Sequence, residues 1–82
     1  MRKDITFTVA TLPDREREVV EIFVADTQFA ELSYENDRLR VEIYGNPQGN
    51  SWDFGFRELC EVLEAARLRL ADAIGGIPER LC

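Results

Sequence analysis

The chain has 82 residues, close to the lower limit for a domain that folds unaided, so its length allows one modest core and excludes a second domain. With 45% hydrophobic and 32% charged residues, the composition is that of a globular protein and excludes a disordered one. The 16 acidic and 10 basic side chains give a net charge of -6. This charge disfavours nucleic acid and anionic membrane as partners and favours a basic protein. The alternative is that such a charge simply keeps a small domain soluble.

Alternation between apolar and polar residues predicts the first two strands. Ile5, Phe7 and Val9 alternate with threonines, which predicts a half-buried strand at about 4–10. A turn containing Pro13 follows, and residues 15–18 are expected to continue it as a solvated connection to a second strand at about 19–25. In that strand the expected core residues are Val20, Ile22 and Val24, and the outward ones are Val19, Glu21, Phe23 and Ala25.

The clearest local signal is a hairpin in the middle of the chain. A short turn at 26–28 leads to a predicted strand at about 29–35, and Asn36-Asp37 supplies residues that tolerate positive φ in a tight turn. The returning strand is predicted at about 38–44. The residues expected to face the core are Ala30, Leu32, Tyr34, Leu39, Val41 and Ile43. Those expected to face outwards are Phe29, Glu31, Ser33, Glu35, Arg40, Glu42 and Tyr44.

The apolar period changes in the last third of the chain and predicts one amphipathic helix. A loop rich in Gly, Asn and Pro at 45–51 leaves the sheet, and Trp52 and Phe54 are expected to pack back onto the core. The helix is predicted at about 55–74, with Gly75-Gly76 at its left-handed end and a tail at 75–82. Its apolar stripe is predicted to consist of Phe56, Leu59, Cys60, Leu63, Ala66, Leu70 and Ile74.

These elements predict a single α+β domain built in two layers. Short connections make successive strands neighbours, so we expect a four-stranded antiparallel β-meander. The C-terminal helix has enough apolar surface to pack on one face of that sheet. The predicted arrangement is therefore ββββα over residues 1–82.

The residues that most enzyme chemistry needs are missing from the sequence. The chain has no histidine, which removes the commonest general base and the commonest metal ligand. Cys60 and Cys82 fit neither a zinc motif nor a disulfide framework, so we expect a buried, inert Cys60 and a reducing cytoplasm. The sequence contains neither a glycine-rich phosphate loop nor an apolar run of membrane length. We therefore expect a protein that is not an enzyme and has no metal or cofactor.

The outward face of the predicted sheet is the candidate binding site. The helix shields one face, and the other combines aromatic and acidic side chains in the way a protein interface does. The candidate partner-binding residues are Glu21, Phe23, Phe29, Glu31, Arg40, Glu42 and Tyr44. The alternative is that the rings cover one another across strands or lie under loops. Trp52 is either a recognition anchor or a plug on the end of the core, and the plug is favoured because Phe54 and Phe56 follow it.

A run of residues in the second half of the chain resembles a known family. Glu42-Ile43-Tyr44 is followed by Pro47-x-Gly49, then by Trp52-x-Phe54, and then by the helix Glu58-Leu59-x-x-Val62-Leu63-x-x-Ala66. This run is similar to the C-terminal half of small bacterial immunity proteins of polymorphic and contact-dependent toxin systems. With the acidic hairpin from Glu31 to Tyr44, the resemblance extends over roughly half to two thirds of the chain. Gly55 departs from it, since an Asp or Asn cap is expected at that position, so Asp53 or Gly55 itself must end the loop.

The resemblance implies a cytoplasmic inhibitor that binds a cognate toxin domain, commonly a nuclease, and blocks its active site or substrate groove. An acidic inhibitor suits a basic toxin, because opposite potentials accelerate encounter and carboxylates can stand where phosphates bind. The main alternative is a homodimeric structural or adaptor domain, in which the exposed sheet face or an edge strand pairs with a second copy. A small regulatory subunit is a third interpretation.

Overall fold

Four strands pair in the order in which they occur along the chain, and one helix follows them. The structure, a computed structural model, describes residues 4–77. The elements are β1 (Ile5–Ala10), β2 (Val19–Val24), β3 (Thr27–Glu35), β4 (Arg38–Ile43) and α1 (Phe56–Ile74). All strand pairs are antiparallel and the sheet order is β1-β2-β3-β4, so the predicted ββββα meander is confirmed. Cys82 and the end of the predicted tail lie outside the described residues.

Two tight turns set the register of the meander. Asn36 and Asp37 have φ of 52° and 60°, which confirms the predicted two-residue hairpin turn between β3 and β4. The turn between β2 and β3 is also two residues long, Ala25 and Asp26, with Ala25 at φ 53°. β3 therefore begins at Thr27, two residues earlier than the sequence predicted.

An irregularity in the pairing of β2 with β3 changes the direction of one aromatic side chain. Ile22 pairs with Ala30 and Phe23 pairs with Gln28, so Phe29 is an extra residue in β3. Phe29 is 2% exposed and belongs to the core cluster together with its neighbour Ala30. The prediction that Phe29 faces outwards is wrong, because strict alternation does not hold across a bulge.

The core lies between α1 and the first three strands. α1 packs mainly against β1, β2 and β3. The residues of the helix and sheet that are completely buried there are Val62, Ala66, Leu70, Val20, Ile22 and Ala30. Burial of this apolar surface is the main favourable term for a domain of this size.

Two residues of the predicted helix stripe lie outside the core. Phe56 is 86% exposed, and Cys60 is exposed as well, so both predictions of burial are wrong. The buried stripe is centred on Val62, Ala66 and Leu70, and at about 100° per residue Phe56 and Cys60 lie on the flank of the helix rather than on its buried face. Phe54, just before the helix, packs against the core instead.

The ends of α1 follow its glycines. Gly55 is the N-cap residue, with φ -60° and ψ 144°, and it makes no side-chain capping hydrogen bond. Gly75 has φ 88°, and the N–H of Gly76 donates to the carbonyl of Ala71 at 2.7 Å, which is the left-handed end that the sequence predicted.

The helix leaves β4, one of the two edge strands, largely uncovered. Leu39, Val41 and Ile43 pair with Tyr34, Leu32 and Ala30, so they do project from the face on which α1 lies, as predicted. Val41 is nevertheless 43% exposed and Ile43 57% exposed, because the helix packs mainly on the other three strands. The prediction that these two residues enter the core is therefore wrong about their burial and right about their direction.

Truncating the buried centre of the helix should destabilise the domain much more than truncating its solvent face. Leu70→Ala removes a fully buried side chain, and we expect a loss of about 2–5 kcal/mol in the free energy of unfolding. Leu68, 55% exposed on the same helix, is the matched control, with an expected change within about 0.5 kcal/mol. Urea denaturation measures both values, and equal losses would contradict this description of the core.

Candidate functional site

Three glutamates form a row across the face of the sheet opposite the helix. Glu21 of β2 pairs with Glu31 of β3, and Glu31 pairs with Glu42 of β4. Residues that pair directly across antiparallel strands have neighbouring side chains, and like charges in such positions destabilise a sheet. We call these three residues the carboxylate row. A stable sheet with this row requires a nearby cation.

Arg15, from the connection between β1 and β2, supplies that cation. Its guanidinium lies 2.8 Å from Glu31 Oε2, 3.2 Å from Glu35 Oε2 and 3.8 Å from Glu42 Oε1. The arginine side chain is only 17% exposed and that of Glu31 6% exposed. The Pro13 turn delivers Arg15 to this position, and the N–H of Arg15 donates to the carbonyl of Leu12 at 3.2 Å. One guanidinium therefore joins the connection to two strands of the sheet.

The sequence did not predict this contact. It predicted residues 15–18 as a solvated connection, which is wrong for Arg15. Val19 and Ser33 project from the same face and are also buried, so the side of the sheet without a helix is partly closed. One signal pointed to the contact. The predicted hairpin turn already brought Glu31 opposite Glu42, and Arg15 was available in the connection that precedes β2.

The ion pairs affect the protonation of Arg15 and leave one of its nitrogens without a partner. The pKa of Arg15 is raised above its ordinary value, first by the hydrogen bond to Glu35 and also by the charges of Glu31, Glu35 and Asp14, against an opposing effect of burial. Arg15 stays positively charged in any case. Its Nε is buried without a hydrogen-bond partner. The guanidinium is therefore held by its two terminal nitrogens.

Tyr44 extends this polar cluster to the end of the sheet. Its hydroxyl donates to Glu31 Oε1 at 3.4 Å, and its backbone N–H donates to the carbonyl of Phe29 at 2.9 Å. Burial raises the pKa of the Tyr44 phenol above its ordinary value, with further contributions from the charges of Glu31 and Glu42. The phenol is therefore held in its neutral, donating form.

The predicted aromatic cluster does not exist as an exposed surface. Phe29 packs in the core, with its ring centroid 5.3 Å from that of Trp52 and 4.8 Å from that of Phe54. The Trp52 indole N–H donates to the carbonyl of Tyr44 at 2.8 Å, which is the plug that was favoured from the sequence. Phe23 and Tyr44 are half-buried.

The remaining predicted site residues differ in exposure. Arg40 and Glu42 are exposed, Glu21 is half-buried and Glu31 is 5% exposed. The structure thus brings Glu21, Glu31 and Glu42 together with Tyr44 and Arg15 on one face. It separates Phe29 from them. The accessible part of the candidate site is consequently polar and acidic, with Phe23 and Tyr44 as partly exposed rings.

A depression lies at the end of the sheet, between the β2–β3 turn and the loop that follows β4. It has a volume of about 350 Å³, and its lining includes Asn46, Gln48, Asn50 and Asp53. Among the residues between 4 and 77 that line it, Asp53 is the single charged one. Within residues 4–77, no group of three or more His, Cys, Asp or Glu side chains is placed to hold a metal ion. Across the same residues no helix combines the length and the apolar character needed to cross a membrane.

Comparisons of the chain with models of known protein families, with curated proteins and with solved structures found no match. The resemblance to immunity proteins therefore rests on the residues quoted above.

Removing Arg15 should destabilise the domain, and neutralising Glu31 should reverse part of that loss. Arg15→Met leaves a buried carboxylate without its cation, whereas the double variant Arg15→Met/Glu31→Gln has no buried charge to stabilise. We expect the urea midpoint to fall in the single variant and to recover partly in the double one. Arg57→Met, which removes an exposed arginine from α1, is the control and should leave the midpoint unchanged. Strictly additive losses would contradict the coupling.

The Tyr44 phenol should titrate above the ordinary range. Tyr34→Phe leaves Tyr44 as the remaining tyrosine, and the phenolate absorbance of that variant should have its midpoint above about 10. Because the folded state keeps this proton longer than the unfolded state does, its contribution to stability is complete below the unfolded pKa and is lost as pH rises through the folded one. Adding Tyr44→Phe should remove that alkaline loss, and a midpoint at or below the ordinary value would contradict the assignment.

Proposed function

We propose that this domain is a cytoplasmic immunity protein, which binds a cognate toxin domain and occludes its active site or substrate groove. The observation that carries the proposal is the carboxylate row, which is presented on a rigid sheet on the face opposite the helix. The residues from Glu42 to Ala66 that resemble immunity proteins support the same assignment. A nuclease is the toxin class that this chemistry suits best.

The carboxylate row is arranged to meet cations. Its two outer members, Glu21 and Glu42, are separated by two strand spacings, roughly 9–10 Å. Glu31 between them is neutralised by Arg15, and the side chain of Glu42 remains 51% exposed. Two carboxylates at such a separation can accept hydrogen bonds from lysines or arginines that otherwise hold successive phosphates of a nucleic acid.

The charge of the whole molecule supports the same mode of binding. A net charge of -6 attracts a basic partner over distances of about a Debye length and disfavours competition by nucleic acid. Phe23 and Tyr44, which are half-buried beside the row, provide limited apolar contact. The mechanism is occlusion, since the inhibitor covers the groove and performs no chemistry of its own.

The sheet-face homodimer loses support from the structure. That alternative needed Phe23, Phe29 and Tyr44 to form one apolar surface, and Phe29 is 2% exposed in the core. Of the two rings that remain, Tyr44 donates its hydroxyl to Glu31, the carboxylate that also accepts from Arg15. A second copy on this face would also bring two carboxylate rows together, which is unfavourable.

Binding to the toxin domain encoded beside this chain's gene tests the proposal. We expect a one-to-one complex on gel filtration and loss of the toxin's activity when the two proteins are mixed. Glu21→Lys should weaken binding roughly ten-fold or more, because it places a cation against the basic groove. Asp72→Lys changes the net charge equally on the exposed side of α1 and should leave the affinity close to that of the native protein.

Two results would count against the proposal. One is the absence of both a complex and inhibition in that assay. The other is equal weakening by Glu21→Lys and Asp72→Lys, which would mean that net charge alone, rather than the carboxylate row, governs the association.

A further inference from the structure

The geometry points to the outer edge of β4 as the contact between two copies of this chain, paired antiparallel about Val41. This inference does not depend on the toxin partner, although the two surfaces share Glu42; the rest of the carboxylate row lies on β2 and β3. It rests on three observations: the direction of free backbone groups, an uncovered apolar strip, and a charge pattern that is complementary to itself.

The first observation is an unpaired backbone edge. Tyr44 donates its N–H to the carbonyl of Phe29 in β3. Backbone N–H and C=O groups alternate in direction along a strand, so the β4 residues two, four and six positions before Tyr44 also point these groups inwards to β3. The N–H and C=O groups of Leu39, Val41 and Ile43 therefore point away from the sheet. No strand among residues 4–77 pairs with that edge. Such an edge is a template for another strand.

The second observation is that two of these residues, Val41 and Ile43, carry apolar side chains that the helix does not cover, whereas Leu39 is half-buried against the core. Val41 is 43% exposed and Ile43 57% exposed. The other edge strand, β1, differs: Ile5 is 8% exposed, and the Phe7 ring lies beneath Arg69, whose Cζ is 4.3 Å from the ring centroid. On its helix side β1 is therefore shielded at Ile5 and Phe7 and exposed at Val9, whereas β4 presents an apolar strip, Val41 and Ile43, next to free backbone groups.

The third observation identifies the occupant of that edge as a second copy. With the twofold axis at Val41, Arg40 lies opposite the partner's Glu42, and Glu42 lies opposite the partner's Arg40. Val41 meets the partner's Val41, and Leu39 meets the partner's Ile43. Moving the axis by one residue in either direction would place two arginines or two glutamates opposite each other. The charges of two β4 strands are therefore complementary in this register and repel each other in the two adjacent registers.

The backbone geometry agrees with this register. Residues whose N–H and C=O groups point outwards form the hydrogen-bonded pairs, so Val41 would pair with the partner's Val41 by two backbone hydrogen bonds. Arg40 and Glu42 then fall at the non-hydrogen-bonded positions, where opposing side chains approach most closely. Glu42 is available for this contact, since its 3.8 Å distance to Arg15 is the longest of the three that Arg15 makes.

The resulting dimer has one continuous eight-stranded sheet with both helices on the same side. Its interface is isologous, which closes the assembly at two copies and prevents further growth at β4. The Val41 and Ile43 side chains of both copies become buried together. Glu21 remains on the opposite face, two strands away from the new contact.

Sedimentation velocity over a range of concentrations tests the dimer. We expect the native chain to approach twice the mass of one chain as concentration rises. Ile43→Lys should raise the dimer dissociation constant by about 30-fold or more, since it places a charge in the apolar strip, opposite the partner's Leu39, on both copies. Val9→Lys is the matched control, because Val9 is 48% exposed on the helix side of the other edge strand, and it should leave the dimer intact.

Charge exchange tests the register itself. Arg40→Glu and Glu42→Arg should each weaken the homodimer by roughly ten-fold, since each substitution creates two like-charge contacts across the axis. An equimolar mixture of these two variants should form a heterodimer, and the double variant Arg40→Glu/Glu42→Arg should dimerise as the native chain does. Circular dichroism of each variant verifies the fold.

Several outcomes would overturn the inference. The native chain remaining a monomer at every concentration is one, and capture of a foreign extended strand by that monomer would assign β4 to a different partner. Dissociation by Val9→Lys would move the contact to β1. A mixture of the two charge variants that fails to form the heterodimer would refute the register.

Discussion

A single helix has to cover a sheet that is wider than the helix. Four strands extend over roughly 15 Å between the outermost backbones, and a helix with its side chains is about 10–12 Å across. α1 accordingly packs on β1, β2 and β3 and leaves β4 exposed. The position of the core, the exposed strip at Val41 and Ile43, and the proposed contact between two copies all follow from this mismatch in width.

The two faces of the sheet are stabilised by different interactions. On one face the apolar side chains of β2 and β3 lie beneath Val62, Ala66 and Leu70. On the other, strand register aligns three glutamates, and Arg15 from a loop neutralises the central one. Buried ion pairs contribute little net stability but are costly to break. The second face is therefore organised by ion pairs, and it keeps the carboxylates of the row available for the proposed partner.

Local patterns in the sequence predicted most of the fold. Alternation located all four strands, Asn36-Asp37 marked the hairpin turn, and the helix and its left-handed end were found to within a residue. The errors arose where tertiary structure decides. The bulge at Phe29 depends on how β2 and β3 pair. The position of Arg15 depends on carboxylates that folding brings together. The exposure of Phe56 and Ile43 depends on how much of the sheet one helix can cover. The predicted glutamates do share one face of the sheet, whereas Phe29 lies in the core, and their part in binding a partner stays a prediction.

The shared guanidinium of Arg15 has a consequence for how this surface can diversify. Glu31 and Glu35 are both bound to Arg15, so a change in any one of the three alters the contacts of the others. Thr6, Thr8 and Phe23 lie on the same face without such a constraint, on β1 and β2. In the proposed complex, single substitutions on the half of the sheet nearest β1 can therefore change partner preference, while the half held by Arg15 changes only by paired substitutions.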